Sequence, residues 1–153
     1  MNDIVRIPNP AAEAPVSAEK SRQMSLVRTR HTGPELIVRR ILRICGFRYR
    51  LHPKKLPGTP DIVFAGRRKA IFVHGCYWHR HGGCSKSSMP KTRVDFWRGK
   101  FAATVERDQR TFQELTKLGW QYCVVWECET RCEKTIKNKL LTFLASPISG
   151  YAI

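Results

Sequence analysis

The chain is short of acidic residues: 12 Asp and Glu stand against 28 Lys and Arg, a net charge of +16 over 153 residues. It also lacks any apolar run long enough for a transmembrane helix, and its N-terminus lacks the apolar core of a signal peptide. Neither a basic amphipathic helix nor a lipidation signal is present, which argues against an anionic membrane as the partner. A small domain this basic then meets a polyanion most often as nucleic acid. The absence of secretion and membrane signals leads to the expectation of a cytoplasmic protein. In that reducing compartment the six cysteines read as buried thiols or metal ligands rather than a disulfide framework.

The charge is unevenly spread. Residues 1–20 carry Arg6 and Lys20 against Asp3, Glu13 and Glu19, which leaves 26 positive and 9 negative charges, net +17, on the remainder. The first twenty residues are rich in Ala and Pro without periodicity and read as a disordered tail. Residues 21–153, with no internal repeat, read as one domain with enough apolar sequence for a core.

Along that domain Thr32, Pro34 and Glu35 form a T-x-x-E helix start, Leu36, Ile37, Ile41 and Ile44 supply an apolar face, and Gly46 stops the helix. Residues 47–52 alternate as a strand. Residues 61–66 and 69–75 form two apolar strands joined by Arg67–Arg68, a hairpin. Thr92 with Asp95 predicts a second helix start, running to about Leu118 with a weak point near 101–104, and Gly119 ends it. Residues 120–128 read as a buried strand, and 133–145 as a last helix with Ile136, Leu140, Leu141 and Leu144 inward. The order predicts an α/β domain, a small mixed central sheet flanked by helices.

The stretch VHGCYWHRHGGC, residues 73–84, concentrates chemistry: it holds three of the five histidines and two of the six cysteines, with Tyr77 and Trp78 between them. Cys76, His81 and Cys84 are spaced C-x4-H-x2-C. Thiolate and imidazole donors select zinc, which takes four such ligands in a structural site. The fourth is best sought in Cys128, with Cys132 competing, while Cys45 and Cys123 read as ordinary buried thiols. The Gly82–Gly83 pair provides the permissive backbone that a tight ligand loop needs. His74 and His79 are then left over.

Asp61 opens a strand just after Pro60, and the hairpin puts it on the strand beside His74. A carboxylate at a strand edge near main-chain carbonyls suits Mg²⁺, which neutralises phosphodiester charge in many nucleases, and a neutral histidine can move the proton. Against this, T-P-D is also good turn chemistry, and Glu35 is accounted for by the helix cap.

The segments SRQMSLVRTRHTGPELIVRRIL, PGTPDIVF, FVHGCYWHRHGGC, VDFWRGKFAATVERDQR and LGWQYCVVWEC together resemble the very short patch repair (Vsr) endonucleases, over about residues 20–130. The resemblance implies a restriction-endonuclease-like fold with a structural zinc site. It implies a Mg²⁺-dependent enzyme, acting as a monomer, that nicks duplex DNA 5′ of the thymine in T:G mismatches left by deaminated 5-methylcytosine. It implies Asp61 and the Val73 carbonyl as Mg²⁺ ligands, His74 and His79 as catalytic histidines, and Glu35 as an accessory acid. Cys76, His81, Cys84 and Cys128 would hold Zn²⁺. Tyr77, Trp78 and Trp97 would form an aromatic wedge entering the DNA from the major groove, with Met24 pushing from the minor-groove side. Lys91, Arg93 and Arg107 are candidates for contacts to DNA. The mismatch-repair matchmaker MutL is the implied protein partner. Three positions depart from the usual pattern: Val73 stands for Thr, Tyr77 for Phe, and two glycines precede Cys84. Two other readings explain part of the pattern. A zinc-stabilised nucleic-acid-binding module accounts for the charge and the cysteines but not for Asp61 with two spare histidines. A restriction enzyme on matched DNA would be expected to carry the superfamily's Lys, near whose place His74 stands.

Overall fold

The computed structural model describes residues 26–147, with Glu19 and Arg22 ahead of them; the assignments made for the N-terminal tail and for Met24 lie outside the described residues. Helix α1 spans Gly33–Ile44, followed by strands β1 (Arg50–Leu51), β2 (Ile62–Phe64) and β3 (Lys69–His74). Helix α2 (Val94–Lys117), strand β4 (Gln121–Trp126) and helix α3 (Glu133–Ala145) complete the order. The sheet runs β1-β2-β3-β4, antiparallel across its first two pairs and parallel between β3 and β4. Parallel strands cannot be joined by a tight turn, so the chain crosses over through the ligand loop and α2 between them.

Strand alternation divides the interior into two cores. Ile62, Phe64, Ile71 and Val125 face α1 and α3, where Val38, Ile41, Leu42, Ile136, Leu140 and Leu144 meet them. Val63, Ala70 and Phe72 face the other way, against Leu115 and Phe112 of α2. By the same parity Asp61 and His74 leave the sheet on the α2 side, which is the basis of the site described below.

Several local expectations shift. Helix α1 buries Val38, Ile41 and Leu42, whereas Leu36 and Ile44 are 48% and 73% exposed. Two apolar stripes at helical spacing compete on this helix, and contact with the sheet selects the one centred on Val38. In α3, Leu141 is likewise at the surface while Ile136, Leu140 and Leu144 are buried. Thr92 does not cap α2: the N-cap position is Arg93, in the left-handed region at φ 52° with no side-chain cap bond. The helix runs through 101–104 without a break, pinned there by the buried Phe101. Pairing in the 47–52 segment is confined to Arg50–Leu51. The last strand ends at Trp126, and its Tyr122 is 38% exposed, so it is less buried than its apolar sequence suggests. Both helix stops hold, with Gly46 at φ 80° and Gly119 at φ 74°.

Candidate active site and metal centre

Strand β2 begins one residue after Asp61, and this offset matters. The Asp61 carboxylate takes the place of a strand carbonyl: its Oδ2 accepts the Val73 N–H at 2.7 Å. A residue's N–H and C=O leave a strand on the same edge, so the Val73 carbonyl is directed along the edge that Asp61 occupies. Burial pushes the Asp61 carboxyl up from 3.8 to about 6, a rise that Glu35 reinforces and that the Val73 N–H, His52 and His79 only partly offset. A raised carboxyl of this kind gains most from a nearby cation.

Next to it, the turn after β3 folds His79 back over His74. The two rings stack at 3.6 Å with 17° between their planes. His74 is 6% exposed and also meets Phe112 and Trp126. Burial, with the neighbouring His79, lowers its pKa to about 3, so it is a neutral imidazole across the physiological range. His79 Nδ1 pairs with Asp108 Oδ2 at 2.5 Å, which fixes the ring's orientation. Burial raises the Asp108 carboxyl, but the hydrogen bond from His79, the electrostatic pull of the neighbouring rings and the hydrogen bond from Arg107 outweigh it, and the group lies below its usual range.

These groups line one cleft of about 840 Å³ that takes in Asp61, Val73, His74, His79, Asp108 and Trp78. Lys100 and Arg107 reach it from α2 and supply positive charge at the mouth. Glu35 does not line it. Its side chain is 1% exposed and turned under α1, with His52 standing between it and Asp61. Half of the expected capping box forms: Thr32 Oγ1 accepts the Glu35 N–H at 3.4 Å. The Glu35 carboxylate instead accepts the N–H of His31 at 2.7 Å.

The second half of the same loop builds a separate cluster. Donor atoms of Cys76, His81, Cys84 and Cys128 all lie within 4.8 Å of one another. His81 Nδ1 is 3.6 Å from the Cys76 sulfur and 3.3 Å from that of Cys128. Tetrahedral bonds of zinc to sulfur and nitrogen put the donors roughly 3.5 Å apart, so this set fits zinc. His81 is steadied by stacking on Trp126 at 4.3 Å. Cys76 is fully buried, and burial, followed by effects of the Cys128 and Cys84 groups, pushes its thiol up to about 12, a state that a bound cation would reverse. Cys132 is excluded from the group: it is exposed and accepts the Thr135 hydroxyl at 3.1 Å. Cys45 and Cys123 pack against the core beneath α1 and α3.

Between the cleft and this cluster stand the rings. Tyr77 and Trp78 meet edge to face at 5.1 Å, and each lies 6.1 Å from Trp97. All three are half-buried, and Phe101 backs Tyr77 and Trp97 from below. Lys100 Nζ sits 5.5 Å from Trp78 and 5.4 Å from Trp97. Arg93 lies over Phe96 at 4.4 Å, Lys91 and Arg107 are exposed, and Arg107 also pairs with Asp108.

Two residues of this region were not singled out from the sequence, Asp108 and His52. Asp108 falls within the polar run ERDQR, where nothing marks which residue faces inward. The signal was its spacing, four residues after Thr104 and three and four before Thr111 and Phe112, on the stripe that faces the cleft. His52 was hidden because it follows β1 at φ 47°, a conformation that no local pattern announced.

Comparison with known proteins identifies the family. The family model described as DNA mismatch endonuclease Vsr matches residues 15–86. The chain is 50% identical over 115 residues to the type II nicking enzyme V.XorIIP of Xanthomonas oryzae, covering 74% of this chain and 84% of that protein. It is 38% identical over 125 residues to the DNA mismatch endonuclease Vsr of Escherichia coli, covering 82% and 80%. It is also 38% identical over 124 residues to the type II nicking enzyme V.NmeAIP of Neisseria meningitidis, covering 81% and 88%. On this similarity the chain belongs to the Vsr family of DNA endonucleases.

Proposed function

We propose that the protein nicks duplex DNA on the 5′ side of the thymine in a T:G mismatch. The observation that carries this reading is the convergence of Asp61, His74, His79 and Asp108 in one cleft that Trp78, Lys100 and Arg107 also line. The relatives, a mismatch endonuclease and nicking enzymes by name, point the same way.

In this reading Asp61 and the Val73 carbonyl hold Mg²⁺, which when bound supplies charge neutralisation for the phosphodiester. The hard oxygen donors and the raised Asp61 carboxyl suit that ion. Asp108 holds the His79 ring, leaving Nε2 to take or give a proton. His74, neutral and buried, packs His79 in place and donates or accepts a hydrogen bond without adding charge. Glu35 contributes at one remove, through His52. Tyr77, Trp78 and Trp97, joined by Met24 from the other groove, would stack into the weakened pair, each stacked base worth about 1–3 kcal/mol. Lys91, Arg93, Lys100 and Arg107 would meet phosphates and base edges. Zn²⁺ on Cys76, His81, Cys84 and Cys128 is structural, and the mixed sheet with its β3–α2–β4 crossover supports the restriction-endonuclease-like reading. MutL remains the proposed protein partner.

The test is an incubation with end-labelled duplexes carrying T:G, T:A or C:G at one position, in several methylation-site contexts, with and without Mg²⁺. A single Mg²⁺-dependent nick 5′ of the mismatched thymine is expected. Cleavage of both strands of matched DNA would replace this reading with a restriction enzyme, and tight binding without cleavage in any context would replace it with a binding module.

A further inference from the structure

A third group of metal-type donors lies outside both the cleft and the cysteine cluster. His31, Glu35 and His52 bring two imidazoles and a carboxylate within 4.8 Å of one another. Glu35 Oε1 lies 3.1 Å from His52 Nε2 and 4.0 Å from His31 Nδ1. His52 is nine-tenths buried, and among the described residues its Nε2 has no aligned hydrogen-bond partner despite the short approach to Glu35. Two donors that close on each other without aligning converge on a common point, as ligands do around an ion. Buried polar atoms are otherwise almost always satisfied, so this one requires an explanation.

We propose that His31, Glu35 and His52 form a site for a first-row divalent transition metal such as zinc, cobalt or manganese. Two imidazoles and a carboxylate are a donor set that such ions prefer over Mg²⁺, which favours oxygen and keeps its waters. Bonds of about 2.1 Å from a tetrahedral ion put donors roughly 3.4 Å apart, within the range of separations here. The set also has the surroundings of a ligand group. His52 Nδ1 faces Asp61 Oδ1 at 3.9 Å, an approach that a small ring shift would convert to the carboxylate–histidine–metal arrangement. The ion would thereby be linked to the carboxylate of the cleft.

Arg39 holds the place of the ion. Its Nη1 lies 2.8 Å from His31 Nδ1 and 3.4 Å from Glu35 Oε1. It is a poor fit there, since its buried Nε finds no hydrogen-bond partner among the described residues. A metal entering the site would displace this side chain and take over its neutralisation of Glu35. Removing the guanidinium should therefore tighten binding, because a unit positive charge leaves the immediate surroundings of the ion.

The experiment uses the full chain with its cysteine cluster loaded with zinc, in excess Mg²⁺, titrated with Co²⁺ and followed by visible absorption and equilibrium dialysis. One equivalent of Co²⁺ should bind with a d–d band and without a thiolate-to-cobalt charge-transfer band. His31→Ala and His52→Ala should each abolish it, Asp61→Asn should retain it, and Arg39→Met should tighten it by about tenfold or more. His31 is 57% exposed, so its variant keeps the test valid if the buried His52 variant unfolds. The proposal is overturned if the wild-type chain binds no Co²⁺ under these conditions. It is also overturned if a charge-transfer band appears, or if binding survives His31→Ala and is lost in Asp61→Asn. None of these readouts depends on nicking, so the nuclease reading can fail without deciding this one.

Discussion

Replacing Asp61 by Asn should stabilise the fold while destroying the reaction. Burial is the main reason the Asp61 carboxyl stands at about 6 rather than 3.8. Each pKa unit corresponds to about 1.4 kcal/mol, so a displacement of roughly two units means that the ionised carboxylate costs the Mg²⁺-free fold about 3 kcal/mol. The side chain is 19% exposed, and solvent screening brings a realistic figure nearer 2 kcal/mol. The folded pKa is above the unfolded one, so the folded chain holds the proton more tightly. Below about pH 4 both states are protonated and there is no cost; it grows as the pH rises and is complete above about 6. Asparagine keeps an oxygen for the Val73 N–H and carries no charge. Urea unfolding of the zinc-loaded protein without Mg²⁺ should show Asp61→Asn about 2–3 kcal/mol more stable at neutral pH, with the gain fading toward pH 4. The same preparation should lose nicking by about 10³-fold or more, since the ion's ligand supplies several kcal/mol of charge stabilisation. A variant no more stable than the parent at neutral pH would refute the burial argument. One that nicks normally would refute the assignment of the carboxylate.

His79→Ala should reduce single-turnover nicking by about 10²–10⁴-fold with little change in DNA affinity. Asp108→Asn, which leaves the ring in place but removes the charge that orients it, should cost roughly tenfold or more and alter the pH–rate profile. Cys76→Ser or Cys128→Ser should abolish stable folding, because structural zinc contributes most of the folding free energy in sites of this kind; Cys132→Ser should leave zinc content and the unfolding midpoint unchanged. Trp97→Ala should weaken binding to a T:G duplex by about 1–3 kcal/mol and matched DNA by less, measured by competition at fixed salt. Lys91→Ala and Arg107→Ala should each flatten the dependence of log K on log salt by about 0.9 if each neutralises one phosphate.

What could be read in advance was whatever the chain writes locally. The helix stops at Gly46 and Gly119, the β2–β3 hairpin and the gathering of Cys76, His81 and Cys84 all rest on short-range chemistry, and each forms at the expected place. The fourth member of the cluster was open between Cys128 and Cys132 because the two stand four positions apart on a segment of unknown path. With β4 paired in parallel to β3, it is Cys128, just past Trp126, whose sulfur joins the donors of the loop. The face of α1 could not be read because two stripes have the same period and only packing chooses between them. Asp108 escaped for a related reason: it lies 29 residues from His79, and its meaning exists only once α2 has crossed the sheet. Glu35 was named as an accessory acid only because the resemblance implied it, and between it and Asp61 stands His52, a residue with no motif of its own.

The loop that gathers Cys76, His81 and Cys84 also carries residues of the cleft. Cys76 and His81 are joined by a main-chain hydrogen bond of 3.0 Å from the His81 N–H to the Cys76 carbonyl, and Tyr77, Trp78 and His79 are the residues that this turn presents. A zinc ion on Cys76 and His81, as proposed above, would hold the ends of the turn and so set the positions of Tyr77, Trp78 and the His79 ring that stacks on His74. A change in the metal centre too mild to unfold the chain should then appear first in the cleft. Exchange of zinc for the larger cadmium ion lengthens the bonds to sulfur and spreads the turn. The expected result is a fall in the nicking rate and in T:G discrimination together, at unchanged affinity for matched DNA. Equal rates for the zinc and cadmium forms would mean that the turn holds its shape without the ion. Its own hydrogen bonds and the packing of His81 on Trp126 would then be what positions His79.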